Sequence, residues 1–584
     1  MAIKTKKIRS PRNLNELFWE SVQNFPDNEA LCFLKGHHYE SLSYRELSQE
    51  AISLACGLEN LGFKSGDAAV IFSENRPEWP ICDIAFNMLG VINVPIHSVL
   101  SASQLAHILD EIKPKAIFFS NINIETKLLD ISEQISKIDY LFSFEDIGEN
   151  GFNKLNYFKS FIRKQAPSEL KSKQIVENGL SISPDQVCSI IYTSGTTGHM
   201  KGVKLTHRNF VFDTLALMKW VDVRPTDKFF SILPLSHVLE RTVGYYVAIY
   251  SGSSVGYSID LAKVSEELRA RKPNIVIAVP RLFEKIYEKV IVKINNNFFV
   301  KNLFHYAFRV KKAGRSKVLI SFFDKLLFSK IRDNFGGEVR FFVSGGAALS
   351  PKIADFFDTI GLPILEGYGL TETAPVISTN RLEDYKFGTV GPVLEGLEVE
   401  IREGGEICVK GPNVSPGYVR KTDNKDVFKD GWFYTGDLGN FDRHGFLIIT
   451  GRKKDLIVLS TGKKVAPGII EERLSESIFI DQSYVFGEGR KHIGAIIVPN
   501  FEALKEIFGS EGTAKLITNP RVNELLANEL MRLTNHLASY EKIQKFILIK
   551  KPFTIESGEL TPKLSLRRHV IYSTYLDYIE KIYQ

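Results

Sequence analysis

Residues 339–369 read VRFFVSGGAALSPKIADFFDTIGLPILEGYG. Residues 339–343, apolar but for Arg340, fit a buried strand, and Ser344-Gly345-Gly346-Ala347 forms a tight turn after it. Ser350 and Pro351 supply an N-cap and a first helical residue. Ile353, Phe356, Phe357 and Ile360 then recur at i, i+3, i+4 and i+7, which gives one apolar face to lay on a sheet, and Gly361 stops the helix. Residues 362–365 return as a strand that runs into Gly367-Tyr368-Gly369. Strand, helix, strand is the unit of a layered α/β domain, and its glycine turns fall where open α/β sheets bind ligands.

The same alternation of apolar runs and amphipathic segments fills the first two-thirds of the chain. Glycines and turns crowd residues 388–451, with short strand-like runs at 397–401, 406–410 and 446–449, the pattern of a small strand-rich subdomain. The charged stretch Gly451-Arg452-Lys453-Lys454-Asp455 follows, then strand signals at 456–459 and 495–498, a helix-rich span over 501–539 and a last strand at 546–549. The expected fold is α/β. A large N-terminal domain, 1–450, holds layered α/β subdomains and a small β-rich one; a small mobile α+β domain, 451–584, follows. At 584 residues the chain is long enough for roughly three or four domain-sized units.

Composition excludes several classes. Hydrophobic residues at 44% and charged residues at 24% are those of an ordinary packed protein. Five widely spaced cysteines, with no CxxC pair, support neither a disulfide framework nor a zinc cluster and point to a reducing, cytoplasmic location. No uncharged apolar run approaches the ~20 residues that span a bilayer, and the basic N-terminus lacks the apolar stretch of a secretory signal. The net charge of +6 calls for no nucleic acid partner. Its distribution is uneven: residues 289–332 hold eleven Lys or Arg, Lys311 and Lys312 among them, against one acid, Asp324, interleaved with eight aromatic residues. That stretch reads as helices with core-facing apolar faces and solvated basic ones, or as a face for peripheral contact with a membrane surface.

Residues 192–203, YTSGTTGHMKGV, follow the apolar run 187–191 and precede a short strand at 203–205. Thr193, Ser194, Gly195, Thr196, Thr197, Gly198 and Lys201 suit a polyphosphate: glycines admit backbone N–H groups, hydroxyls donate hydrogen bonds, and a lysine offsets charge. The stretch is not a Walker loop, because Gly202 follows the lysine and the spacing from Gly195 is wrong.

This loop resembles the signature of the acyl-adenylate-forming (AMP-binding) superfamily. Pro234-Leu235-Ser236-His237, Tyr368-Gly369-Leu370-Thr371-Glu372-Thr373, Tyr434-Thr435-Gly436-Asp437-Leu438 and Gly451-Arg452-Lys453-Lys454-Asp455 recur here in the family's order. Met200 stands where the family commonly has proline. The resemblance implies ATP as substrate. Thr193 and the loop would hold phosphates, with Mg²⁺ held by Glu372 and Thr196. Adenine would lie between the Gly346-Ala347 turn and Tyr368, with Gly367, Gly369 and Thr371 beside it. Asp437, expected in a compact turn, would accept from the ribose hydroxyls, and Arg452 would reach ribose or phosphate. His237 is either a buried structural histidine or the family's residue beside the reacting carboxylate.

The family's C-terminal catalytic lysine lies three residues before an arginine. Counting back from Arg568 lands on Ser565, and Lys563, two residues earlier and on the same face of an extended segment, is expected to take the role. A hinge is implied at Lys454, and a loop with Gly462 and Lys463 would then approach the thiol acceptor. Asn75-Arg76-Pro77-Glu78-Trp79, the Leu239-Glu240-Arg241 tail, Val279-Pro280-Arg281-Leu282-Phe283 and Glu559-Leu560-Thr561-Pro562 resemble the long-chain fatty acyl-CoA synthetases. The implied reaction joins a long-chain fatty acid to AMP and then to coenzyme A. Acyl carrier protein is the alternative acceptor, and a non-catalytic fatty-acid or nucleotide-binding protein is the alternative from another class.

Overall fold

The unit at 339–369 is present with its ends shifted. The strands are Phe341–Ser344 and Ile364–Tyr368, and the helix Pro351–Thr359 is capped by the Ser350 hydroxyl. Gly361 follows at φ +85, a left-handed position that favours glycine. This computed structural model describes residues 10–35, 38–148, 152, 154–194, 200–258, 263–295, 298–314, 317–509, 512–561 and 564–583.

Two large sheets carry the N-terminal region. Among the described residues, one has eight strands in the order Ser378–Thr379, Ile364–Tyr368, Phe341–Ser344, Ile275–Ala278, Lys228–Ser231, Ser254–Tyr257, Glu29–Lys35, His38–Ser43; its inner strands are parallel. The other has seven, from Leu155–Tyr157 to Val187–Ser194 and Met200–Thr206. Inner strands such as Ala116–Phe119, Ser254–Tyr257 and Ile275–Ala278 are buried along their whole length, as parallel strands covered on both faces are. A smaller sheet of five strands, Glu398–Ile401 to Leu447–Arg452, follows. Beyond it stand a two-stranded ribbon, Ile457–Val458 with Lys464–Val465, and a three-stranded sheet, Ile480–Phe486, Gly494–Pro499, Lys545–Leu548, with helices around it. The fold is the expected one: a large α/β region and a smaller α+β region after it.

Arg241 joins the two large sheets. It is fully buried in a π-helical segment, Glu240–Tyr246, and donates to Asp83 on the helix Glu78–Leu89, to Ser189 Oγ (2.6 Å) and to Tyr246 Oη (2.9 Å). Ser189 lies on the strand Val187–Ser194, so the Leu239-Glu240-Arg241 tail braces that strand.

The five cysteines are all buried with free thiols, and burial pushes Cys188 and Cys82 far above an ordinary thiol and Cys408 up to about 11. No described helix is long and apolar enough to cross a membrane. In the basic stretch, Phe304, Phe323 and Phe328 are core residues, whereas Phe298, Phe299, Tyr306, Val318 and Phe322 are more than half exposed. Lys311 and Lys312 do not contribute free charge there: they pair with Asp324 (3.4 Å) and Asp355.

Candidate active site

The strands Val187–Ser194 and Met200–Thr206 pair antiparallel, with Thr193 opposite Lys201. Gly195, Thr196, Thr197 and Gly198 lie outside the described residues, as does the side chain of Ser194. Lys201 Nζ stands 3.7 Å from Asp423 Oδ1 and 5.0 Å from the centre of the Tyr418 ring. The Tyr418 hydroxyl donates to Glu372 Oε1 at 2.7 Å. Tyr418 reaches this position because residues 417–419 run along the Met200–Thr206 strand, bonded through Lys204 N to Gly417 O and Val419 N to Gly202 O. Burial and the adjoining carboxylate push the phenol far up, so it remains a donor. Nothing in the sequence around Tyr418 announces a pairing with Glu372, 46 positions away.

Glu372 sits in a one-turn 3₁₀ segment, Thr371–Thr373. Glu372 is buried. Among the described residues no three His, Cys, Asp or Glu gather as a metal cage. A carboxylate such as Glu372 is an oxygen donor of the kind Mg²⁺ takes together with nucleotide phosphates, so the residue type fits that ion.

Asp437 was expected in a compact turn; it lies instead inside the strand Trp432–Phe441, Cα-paired with Arg452 on Leu447–Arg452. The turn-like glycine has a different meaning: Gly436 at φ +73 and a register shift at Leu438/Gly439 form an irregularity that lets the Asp437 amide bond Thr435 Oγ1 (3.0 Å). Asp437 Oδ2 accepts from Tyr368 Oη (2.9 Å) and Oδ1 from Arg452 Nε (2.7 Å). This pair connects the five-stranded sheet to the end of the Ile364–Tyr368 strand.

Gly346, Gly367, Tyr368, Gly369 and Thr371 all line one cleft of about 830 Å³, open solvent at its mouth included; Ala347 is exposed beside it. A Cβ on Gly369 would lie 1.5 Å from Pro375 O, so this backbone crossing requires glycine. His237 also lines the cleft. Its Nδ1 accepts from the Leu239 amide (3.3 Å), which places the proton of the neutral ring on Nε2. The ring stacks on His97, 6.4 Å between centres, and His97 Nδ1 is 2.7 Å from Ser236 Oγ. His97 is a residue that motif reading did not select.

Away from the turns the cleft is apolar. Phe229, Ile275 and Phe341 come from three neighbouring strands, Leu217 from the helix His207–Trp220, and Val243 and Val247 from the segment after His237. One cavity thus carries a polar end of glycine turns, Tyr368 and His237 and a long apolar end.

Lys454 follows the strand Leu447–Arg452 in a turn, and Gly462 (φ +75) with Lys463 forms the bend of the ribbon beyond it. Lys563 lies outside the described residues. Ser565 closes a turn, its carbonyl accepting from Thr561 N (2.9 Å) and its amide donating to Thr561 Oγ1 (3.2 Å). Arg568 is committed inside the C-terminal region, to Glu471, to Val485 O (3.3 Å) and to Asp455 (3.8 Å). In this arrangement the two regions touch through Arg281 and Asp481 and through Ser350 Oγ, which donates to Glu476 Oε1 (3.0 Å).

Comparisons with known proteins agree with this arrangement. Residues 18–419 match the AMP-binding enzyme family and residues 454–584 the AMP-binding enzyme C-terminal domain. The long-chain-fatty-acid–CoA ligase FadD15 of Mycobacterium bovis is 31% identical over 590 residues, covering 98% of this chain and 97% of that one. The chloroplastic long-chain-fatty-acid–[acyl-carrier-protein] ligase AEE15 of Arabidopsis thaliana is 27% identical, covering 97% and 86%. Among solved structures, the anthranilate CoA ligase AuaEII in complex with anthranoyl-AMP superposes with a TM-score of 0.77 at 17% identity, over 97% of this chain and 98% of that one. Matched over residues 18–419 and 454–584, and 31% identical over nearly its whole length to a member, the chain belongs to the AMP-binding enzyme family.

Proposed function

We propose that this enzyme activates a long-chain fatty acid with ATP, releasing pyrophosphate to give acyl-AMP, and then transfers the acyl group to the thiol of coenzyme A. The observation that carries the reading is the single cleft whose polar end holds the turns 344–346 and 367–371 and whose apolar end fits a hydrocarbon chain. The carboxylate lies beside His237, where the Nε2–H donates to it, and attacks the α-phosphorus. The turn at Gly346 and Tyr368 holds adenine, Asp437 accepts from the ribose hydroxyls, and Arg452 adds positive charge beside them. Thr193, Lys201 and the loop 194–198 hold the phosphates. Mg²⁺, when bound through Glu372 and Thr196, neutralises phosphate charge. In such a transfer the protein mainly positions groups and stabilises charge.

Lys563 supplies the C-terminal cation for the first step. The second step follows rotation of residues 451–584 about Lys454 against 1–450, which brings Gly462 and Lys463 toward the pantetheine arm. Acyl carrier protein presents the same thiol, and the similarity to both kinds of ligase supports either acceptor. The exposed aromatic face at 298–322, among cations on the same helices, supports peripheral contact of a cytoplasmic enzyme with an anionic membrane surface that supplies the acid.

Palmitate-dependent pyrophosphate exchange tests the first step. Exchange followed by thioester formation with coenzyme A is expected. Exchange with thioester formed only on acyl carrier protein would reassign the acceptor, and nucleotide binding without exchange would make the protein a binder.

A further inference from the structure

We propose that loop 221–227 is the end-stop of the acyl cavity and that Arg340 keeps it shut. The inference rests on reading the apolar end of the cleft as the acyl site. Phe229, Ile275 and Phe341 are register partners across three adjacent parallel strands. They share one sheet face, because Phe230, Val276 and Phe342 pack on the other with the helices behind it. They therefore form a row across the cavity at the beginnings of the strands, while Ser344, Gly345 and Gly346 stand at its polar end.

Gly345 lies four positions beyond Phe341, about 13 Å at about 3.3 Å per residue. An extended acyl chain advances about 1.3 Å per methylene, given C–C bonds of about 1.5 Å, so about ten methylenes reach the row. The rest of a longer chain turns under Leu217 toward Val221 and Val223, which also line the cavity.

Residues 221–224 alternate. Val221 and Val223 face inward, and Asp222 and Arg224 are exposed. Arg340, the residue before Phe341, reaches over the outside of this loop. Its Nη1 donates to Asp227 Oδ1 (3.0 Å) and Oδ2 (2.9 Å), and its Nη2 donates to Asp222 O and lies 3.6 Å from Asp222 Oδ2. Asp227 also accepts from the Arg224 amide at 2.8 Å. One guanidinium thus staples the loop to the strand whose next side chain closes the cavity. An acid too long for the space has to push Val221 and Val223 outward, and that motion breaks the Arg340 contacts.

The test is kcat/KM for acid-dependent pyrophosphate exchange over saturated fatty acids of graded length, with the full chain and the variants Arg340→Gln and Val223→Phe. Arg340→Gln is expected to raise acids longer than the wild-type optimum relative to that optimum, by about fourfold for each methylene newly buried. Val223→Phe, which fills the end, is expected to move the optimum to shorter acids, and it carries the test alone should Arg340→Gln fail to fold. Unchanged length profiles in folded variants, or an equal loss at every length, would overturn the end-stop. A wild-type protein that exchanges pyrophosphate with no fatty acid at all would instead overturn the acyl-site reading on which it rests.

Discussion

Glu240 lies fully buried one residue before Arg241 and packs against Gly244, and burial pushes its carboxyl up to about 8. An unfolded glutamate titrates near 4.3. Between about pH 4.3 and 8 the native state therefore holds a proton that the unfolded state has lost, and stability falls as pH rises through that window, levelling above it. Glu240→Gln should remove this slope: its melting temperature should exceed wild type by a margin that grows from pH 5 to 8 and then stays constant. Asp83→Ala leaves the Arg241 guanidinium buried without its carboxylate and should cost about 3–5 kcal/mol in denaturant unfolding. Lys563→Ala should suppress acyl-adenylate formation more than thioester formation from supplied acyl-adenylate, whereas equal loss in both assays removes its assignment. At this scale the sequence motifs pointed to Tyr368, Asp437 and Arg452 separately, and the structure bonds the three together. Tyr418 and His97 were not legible, since each meets the site only through contacts between distant strands.

Among elements, the helix Pro351–Thr359 was readable almost to the residue, from its serine cap, N1 proline and apolar spacing. Strand ends moved by up to three residues, because pairing partners decide where a strand stops. Asp437 shows the harder failure: glycine and aspartate read as a turn, yet a bulge inside a paired strand uses the same freedom. The long apolar cavity was illegible for a related reason. Its walls come from three strands and two helical segments, each with an ordinary buried pattern, and only the sheet register sets Phe229, Ile275 and Phe341 side by side. The crossing at Gly369 is an element-scale constraint. Gly369→Ala must move the Pro375 carbonyl, and a loss toward the upper end of about 1–3 kcal/mol is expected, with pyrophosphate exchange abolished.

For the whole molecule, the division into a larger and a smaller region was visible in the change of pattern near Gly451, but how the two sit together was not, since Arg281 with Asp481 and Ser350 with Glu476 are far apart in the chain. Lys454→Pro should spare pyrophosphate exchange and impair thioester formation; normal rates in both would rule out rotation about this residue. Flotation with anionic liposomes should be lost on replacing Phe298, Phe299 and Phe322 together by serine, and should survive neutral substitution of Lys311 and Lys312, whose charges are already spoken for by Asp324 and Asp355. The buried cysteines bear on the same chemistry from another side. A mixed anhydride of fatty acid and AMP acylates whatever thiolate it meets, and Cys188 sits on the strand Val187–Ser194. By keeping all five sulfurs out of solvent and protonated, the fold protects itself from its own product, and a cysteine introduced on the surface becomes a unique handle for a dye that follows the smaller region as it turns.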